Sequence, residues 1–362
     1  ITPGWNPAAP YYYDIRQYVQ TYAAGTTPLF SDHNYEDAYY GSHIAEFFNH
    51  RLGLLFGGRY QKYNNTRIFP ASAAAIPYNV AAKVWTLGLS WEIIPDLVFF
   101  ASESTSFEPN GGSTIGGNGA TTAELTANPV PPVLGRGHDI GIKYNLNRKV
   151  ALSLSYFNLV RDNDFKTVNT DKTANDPRNN DANPNNDVTW YVIGGERLSR
   201  GVDFQVNYRP TDNWQGLFTV GWLPVAKITQ NPIQAIPVML GNGTMGIDPN
   251  VDNAVGLRQT NAPRFKFATW NQYVVPGGVF EKLRAGFGVI YTSSVALTTN
   301  RTTPEYVPAF ATVRVSIGYP IKVFGRQIDT QFVVGNLFDK QFYRSTSRGE
   351  PRTFSLNAST KF

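Results

Sequence analysis

The fold class that the sequence predicts is all-β: a transmembrane, antiparallel up-and-down β-barrel with about 13–14 strands in this chain. Three observations predict it. Apolar and polar side chains alternate at period two along many segments, aromatic residues are in excess while charges are sparse, and short connections alternate with long ones. Of 362 residues 14% are aromatic, with 20 Tyr, 23 Phe and 7 Trp, and 16% are charged; ordinary soluble domains carry about 25% charge. So many rings suit girdles at two membrane interfaces. Mean hydropathy is −0.28, and no stretch reaches the roughly 20 apolar residues of a spanning helix. A helical membrane protein is excluded.

The segments follow one another from about residue 35 to the end. Trp85, Leu87, Leu89 and Trp91 share one face of an early strand. Ile140, Ile142 and Tyr144 then oppose Asp139, Gly141 and Lys143, and Val150, Leu152, Leu154 and Tyr156 follow directly. In "VDFQVNY", Val202, Phe204, Val206 and Tyr208 oppose Asp203, Gln205, Asn207 and Arg209. Leu283, Ala285, Phe287, Val289 and Tyr291 oppose Arg284, Gly286 and Gly288, and Val313, Val315, Ile317 and Tyr319 oppose Thr312, Arg314 and Ser316. The closing stretch "EPRTFSLNASTKF" sorts Phe354, Leu356, Ala358, Thr360 and Phe362 from Thr353, Ser355, Asn357, Ser359 and Lys361. In a sandwich the apolar face would meet a second sheet; in a membrane barrel it meets lipid, around a polar interior.

The order of connections separates these readings. Short ones are expected at Asn49 to His50, Pro95 to Asp96, Asn145 to Arg148, Pro210 to Asn213, Pro276 to Phe280 and Pro320 to Gly325. Long ones, at residues 64–79, 107–135, 161–195, 229–259, 294–307 and 338–349, alternate with them. Periplasmic turns and long extracellular loops produce this asymmetry, and the parity of the strands then places the C-terminus in the periplasm.

Composition and motifs also limit the chemistry. The chain has no cysteine, which removes disulfides, thiolate metal sites and a Cys nucleophile. A net charge of +5 without a basic run argues against nucleic acid as a partner. His33, His43, His50 and His138 lack metal-ligand spacing, so no metal and no other cofactor is expected. There is no serine-nucleophile elbow, and Glu103 and Glu108 have no fixed separation that would pair them as acid and base. No enzyme is expected and no catalytic residue is assigned. The Asn169 to Asp187 stretch lacks the Gly and terminal Glu of a calcium loop, and the Gly-rich Glu108 to Thr122 stretch lacks a phosphate-binding pattern. The first residues, "ITPGWNPAAPYYYDIRQY", show no charged start followed by an apolar core, so a signal peptide is not expected there.

The C-terminal stretch "VVGNLFDKQFYRSTSRGEPRTFSLNASTKF" resembles the closing segment of TonB-dependent outer-membrane receptors, with an Asn-Leu-Phe-Asp-Lys run, the Phe342-Tyr343 pair, and Gly349 to Arg352 leading into a last strand. "FFASESTSFEPNGG", "GHDIGIKYNLNRKVALSLSYFNLVRDN" and "GERLSRGVDFQVNYRPTDNW" are similar to successive strands of the same barrels, closest to the ferric-siderophore branch. The resemblance implies a bacterial outer-membrane receptor for energy-coupled uptake of a ferric siderophore or similar bulky nutrient. It also implies a barrel of about 22 strands, of which this chain would supply part, outer-membrane lipid and lipopolysaccharide around it, and a plug domain and TonB as partners.

Neither plug nor TonB-contact motif is found in this chain. Residues 35–362 are therefore expected to be the C-terminal portion of the barrel, and residues 1–34 an extracellular loop or a partial preceding strand. Two alternatives remain at this stage. One is a structural barrel component without transport; the other is a self-contained pore of about 14 strands, with an added strand near Tyr11 to Tyr22. For a ferric chelate, the loop or rim positions Phe107, Trp190, Tyr191, Phe342, Tyr343 and Arg344 are candidate contacts, although strand-end aromatics also serve as girdle anchors. Arg200, Arg209, Arg284, Arg314 and Arg352 are expected to face the lumen, where the resemblance implies that they brace a plug.

Overall fold

The computed structural model describes residues 31–69, 74–109, 131–147, 149–169, 189–231, 238–239, 245–246, 254–299 and 304–360. Thirteen strands form one sheet in which every neighbour in sequence is the neighbour in space. They are β1 (Ser31–Phe47), β2 (Leu52–Phe69), β3 (Ala74–Ile94), β4 (Leu97–Glu108), β5 (Val133–Leu146), β6 (Val150–Asn169), β7 (Thr189–Thr211), β8 (Trp214–Gln230), β9 (Phe265–Val274), β10 (Arg284–Thr292), β11 (Phe310–Val323), β12 (Arg326–Gly335) and β13 (Thr353–Ser359). No ladder joins β1 to β13 among the described residues. All contacts between strands are therefore those of an antiparallel meander.

Register sorts the two faces. Phe56 pairs with Leu87, Ile140 with Tyr156, Leu154 with Phe204, Phe204 with Val220, and Ile317 with Phe332. These side chains stay accessible: Phe56, Ile140, Ile317 and Leu356 are 46–74% exposed. A soluble domain would bury such a face, whereas a membrane barrel turns it toward lipid. Near the lower rim Tyr208 lies across Gly216, where a Cβ would come within 2.3 Å of the ring. The Tyr208 hydroxyl and Trp214 Nε1 both donate to Asn271 Oδ1, at 2.5 and 3.2 Å. This girdle keeps its apolar edges outward and its polar atoms paired.

On the inner face, large rings lie over glycines of the next strand: Phe100 over Gly141, Phe157 over Gly201, and Trp270 over Gly286 and Gly288. A side chain at those glycines would meet the ring at 2.6–2.7 Å. Each ring shields a thin stretch of backbone, a device that lets a sheet curve.

Several boundaries differ from the sequence expectation. The connection expected at 64–79 is mostly strand, because β2 runs to Phe69 and β3 begins at Ala74. Likewise β6 and β7 extend into the 161–195 stretch. A ladder needs only paired backbone groups, so strands continue above the bilayer through residues whose polarity resembles a loop. The two-residue turn at Phe324 and Gly325, with φ of 49° and 77°, is tighter than the Pro320 to Gly325 expectation, since Pro320 lies within β11. β1 starts at Ser31, inside the segment assigned to a loop or partial strand, and Tyr11 to Tyr22 lies outside the described residues.

Candidate functional site

Residues between β12 and β13 fold back over the inner wall. Asn336 organises the return: Nδ2 donates to the carbonyls of Lys340 and Glu350 at 2.9 and 3.1 Å, while Oδ1 accepts the Lys340 N–H at 2.9 Å. Asp339 Oδ1 accepts the Arg352 N–H at 2.8 Å. Asn336 and Asp339 both take positive φ, 46° and 52°, a conformation that Asn and Asp tolerate better than other side chains. The Asn-Leu-Phe-Asp-Lys run is thus a loop-closing device. Beyond it Phe342 is buried and stacks on Phe310, with centroids 4.2 Å apart and planes at 24°. A Cβ on Gly349 would approach that ring to 2.3 Å. Tyr343 and Arg344 pair with Arg348 and Ser347 in a short ladder and remain exposed.

Beneath this loop lies a cavity of about 290 Å³ whose wall includes Trp270, Thr312, Arg314, Asn336, Arg344 and Glu350. Its volume is at the small end for ligand pockets, about 300–1,000 Å³. Two guanidiniums, one carboxylate and an indole face one space, which suits an anionic or oxygen-rich ligand with an aromatic part. The Arg344 guanidinium also lies 5.6 Å from the Phe342 ring centroid, so the loop core orients it.

A second inner-wall cavity, about 710 Å³, opens at the turn end and is lined in part by Asp96, Asn145, Lys149, Asn207, Arg209 and Gln215. Ion pairs also run across strands. Arg59 Nη2 meets Glu36 at 2.9 Å, Arg197 Nε meets Asp164 at 2.5 Å, and Arg161 Nη2 meets Glu108 at 3.3 Å. At the upper end of β1, Arg67 makes two 2.8 Å bonds to Asp32. Hydrogen bonding to Arg67 holds that carboxyl below its ordinary value against the opposing effect of burial.

Placement of the candidate residues is uneven. Phe107 on β4 opposes Leu134, on the outward side. Trp190 and Tyr191 lie on β7 opposite Val168 and Thr167, and their side chains are outside the described residues. Phe342 is loop core, whereas Tyr343 and Arg344 are exposed at its surface. Arg314 and Arg284 share the inner parity of Gly288 and Gly318, and Arg284 Nη2 reaches the Thr330 carbonyl at 3.3 Å and Asp329 at 3.7 Å. Arg209 sits at the turn, bonded to the Asp212 carbonyl at 3.3 Å.

Arg200 departs from the lumen expectation. It pairs with Asn158 one step beyond Val202–Tyr156, and its Nε donates to Asn158 Oδ1 at 2.9 Å, so alternation sets it on the outward face. Arg352 lies just before β13, where its N–H donates to Asp339 and no strand pairing sets its face. Sequence reasoning missed Trp270 and Asn336. Trp270 could have been found as a ring at a polar-parity position opposite glycines, and Asn336 lay in plain view within the quoted run. It also missed Arg258, which donates to the carbonyls of Leu223, Pro224 and Ala262 at 2.8, 3.3 and 2.9 Å. Burial and Arg264 lower its affinity for a proton; nothing in local periodicity marks such a brace.

A family model described as TonB dependent receptor-like, beta-barrel matches residues 2–337. An uncharacterized TonB-dependent receptor of Haemophilus influenzae is 25% identical over 274 residues, covering 75% of this chain and 66% of that protein. The metal-pseudopaline receptor CntO of Pseudomonas aeruginosa is 24% identical over 331 residues, covering 87% of this chain and 39% of that protein. Among solved structures, the siderophore receptor PiuA from Acinetobacter baumannii aligns at TM-score 0.68 and 21% identity, over 91% of this chain and 43% of that one. The ferric preacinetobactin receptor BauA, from the same organism, aligns at TM-score 0.69 and 16% identity, over 92% and 44%. At these identities the structural matches establish the fold. The chain spans between two-fifths and two-thirds of the length of these relatives.

Proposed function

The chain belongs to the TonB-dependent receptor β-barrel family, and from that premise we propose that it forms the barrel wall of a receptor for energy-coupled uptake of a ferric siderophore or similar metal chelate. The family's barrels lie in the bacterial outer membrane. In this reading the long connections face the exterior, the C-terminus is periplasmic, and residues 35–362 are the C-terminal part of the barrel. A plug against the inner wall is held by Arg209 and Arg284, and TonB supplies the coupling.

The observation that carries the reading is the loop-covered cavity. A chelate presents carboxylate, catecholate or hydroxamate oxygens around its metal, and Arg314 and Arg344 offer fixed donors beside the Trp270 indole. Phe342 acts through its packing on Phe310, which positions Arg344. The family's work is transport, and the residues brought together bind without reacting. The metal travels within the chelate as cargo.

The test is equilibrium binding of ferric hydroxamate, catecholate and carboxylate chelates to the full-length receptor. One class should bind at micromolar concentration or tighter, and Arg314→Gln with Arg344→Ala should weaken that class at least ten-fold. Absence of binding across all three, or binding indifferent to both substitutions, would overturn the assignment.

A further inference from the structure

The loop-covered cavity holds charges of both signs that do not neutralise each other. Arg314, Arg344 and Glu350 all border its space of about 290 Å³, and among the described residues no ion pair joins the carboxylate to either guanidinium. Each group is held by something else. Arg344 lies 5.6 Å from the Phe342 ring centroid, and that ring is stacked on Phe310. Arg314 shares a rung of the inner wall with Gly288 and Trp270. A Cβ on Gly288 would come within 2.6 Å of the indole, so the ring lies over the glycine, next to the guanidinium. Glu350 is fixed through its backbone: its carbonyl accepts Asn336 Nδ2 at 3.1 Å, and Pro351 follows and restricts it to extended conformations.

Charges of opposite sign held apart in one small space are both satisfied by a ligand that carries a partner for each. The guanidiniums call for acceptor oxygens, and each can take a carboxylate through paired N–H donors. Glu350 asks the reverse, because an ionised carboxylate only accepts. A tris-catecholate or tris-hydroxamate complex surrounds its metal with oxygen acceptors, so the side that met Glu350 would offer it no proton. An acceptor left facing acceptors in a confined site is unfavourable. An aminocarboxylate complex meets both demands. Its carboxylate oxygens accept, and a primary or secondary amine bound to the metal keeps an N–H that the cation polarises into a stronger donor. Such complexes are also compact, and this volume lies at the small end for ligand pockets. Beside Trp270, the side chains of Leu217, Ala268 and Ile290 offer an apolar floor to the ligand's carbon skeleton.

We infer that the cavity selects an aminocarboxylate chelate, its carboxylates on Arg314 and Arg344 and a metal-bound amine N–H donated to Glu350. Glu350 then sets specificity, since it separates chelates that carry an N–H at the metal from those that present oxygen alone. The inference rests on the proposed receptor reading of this cavity and narrows it to one donor pattern.

The experiment compares two ferric complexes of equal net charge, those of ethylenediaminedisuccinate and ethylenediaminetetraacetate, by equilibrium binding to the full-length receptor. Both chelate through amines and carboxylates, but only the first keeps an N–H on its nitrogens. Wild type should bind the disuccinate complex about ten-fold or more tightly than the tetraacetate. Glu350→Ala should abolish that preference, and Lys322→Gln, near the turn end of β11, should keep it. Resistance of residues 337–350 to limited proteolysis shows that the variant loop is folded, and the wild-type comparison stands whether or not a variant folds. Equal binding of the two complexes by wild type, no binding of either, or a preference that survives Glu350→Ala overturns the inference. A Glu350 that served only the loop or a plug would alter both affinities alike and leave the preference in place. The receptor reading fails on a different result: it falls if hydroxamate, catecholate and carboxylate chelates all go unbound, and it stands if a hydroxamate or catecholate binds while the amine probes do not.

Discussion

Single residues in this wall act mainly by pairing across strands, and their ionisation follows the partner. The Asp162 carboxyl is raised from its ordinary value, first because it is partly buried and then because Glu196 lies beside it. A raised folded pKa means that the protonated form supports the fold: that support is present below the unfolded value near 4 and is lost as pH rises through the folded value. Asp162→Asn should therefore stabilise the β6–β7 region once pH exceeds the raised value and do little in acid. Hydrogen exchange of the β6–β7 amides across pH checks this; a variant less protected than wild type at neutral pH would contradict it. Asp32 has the opposite sign, because its bond to Arg67 lowers its pKa. Its contribution holds above the unfolded value and fades only as pH falls through the folded one.

At the scale of elements, the loop between β12 and β13 depends on a few contacts rather than on a core of its own. Asn336 satisfies three backbone groups, and Phe342 fills the space between Phe310 and Gly349. Leaving such groups unpaired costs about 1–3 kcal/mol each where they are buried. Asn336→Ala and Gly349→Ala should each release residues 337–350 while the sheet persists, because the ladder between β12 and β13 does not use either side chain. Limited proteolysis should cut within that stretch in the variants before wild type is touched. Equal resistance would show that the loop is held by something else.

For the whole molecule, the meander and its sidedness imply a topology that can be read from outside the cell. The chain contains no cysteine, so a single introduced thiol reports cleanly. Thr346 is exposed in the folded loop, and at Gly277, in the β9–β10 turn, an added Cβ meets nothing within 4 Å. Thr346→Cys should react with a membrane-impermeant maleimide on intact cells, and Gly277→Cys only after lysis. The reverse pattern would invert the barrel and remove the extracellular assignment of the loop-covered cavity.

Fold class, strand number and the alternation of connections were legible in the sequence because they depend on local period and on turn chemistry, which each segment carries by itself. Phe204, Leu152 and Ile317 could be sorted to one face without knowing any partner. The site was legible only in part. Tyr343 and Arg344 lie exposed in the loop, but Phe342 is equally aromatic and turns out to be packing, since nothing within the run distinguishes a ring that meets Phe310 from one that meets solvent. Arg200 was assigned to the wrong face although strict alternation from Val202 would have set it outward, and the Asn158 contact across β6 and β7 makes that placement visible. Tertiary structure alone decided which strands lie level with one another. Trp270, Arg314 and Glu350 line one cavity only because register and turn positions align their strands and the loop folds back over them, and that long-range pairing is not written in any single stretch of chain.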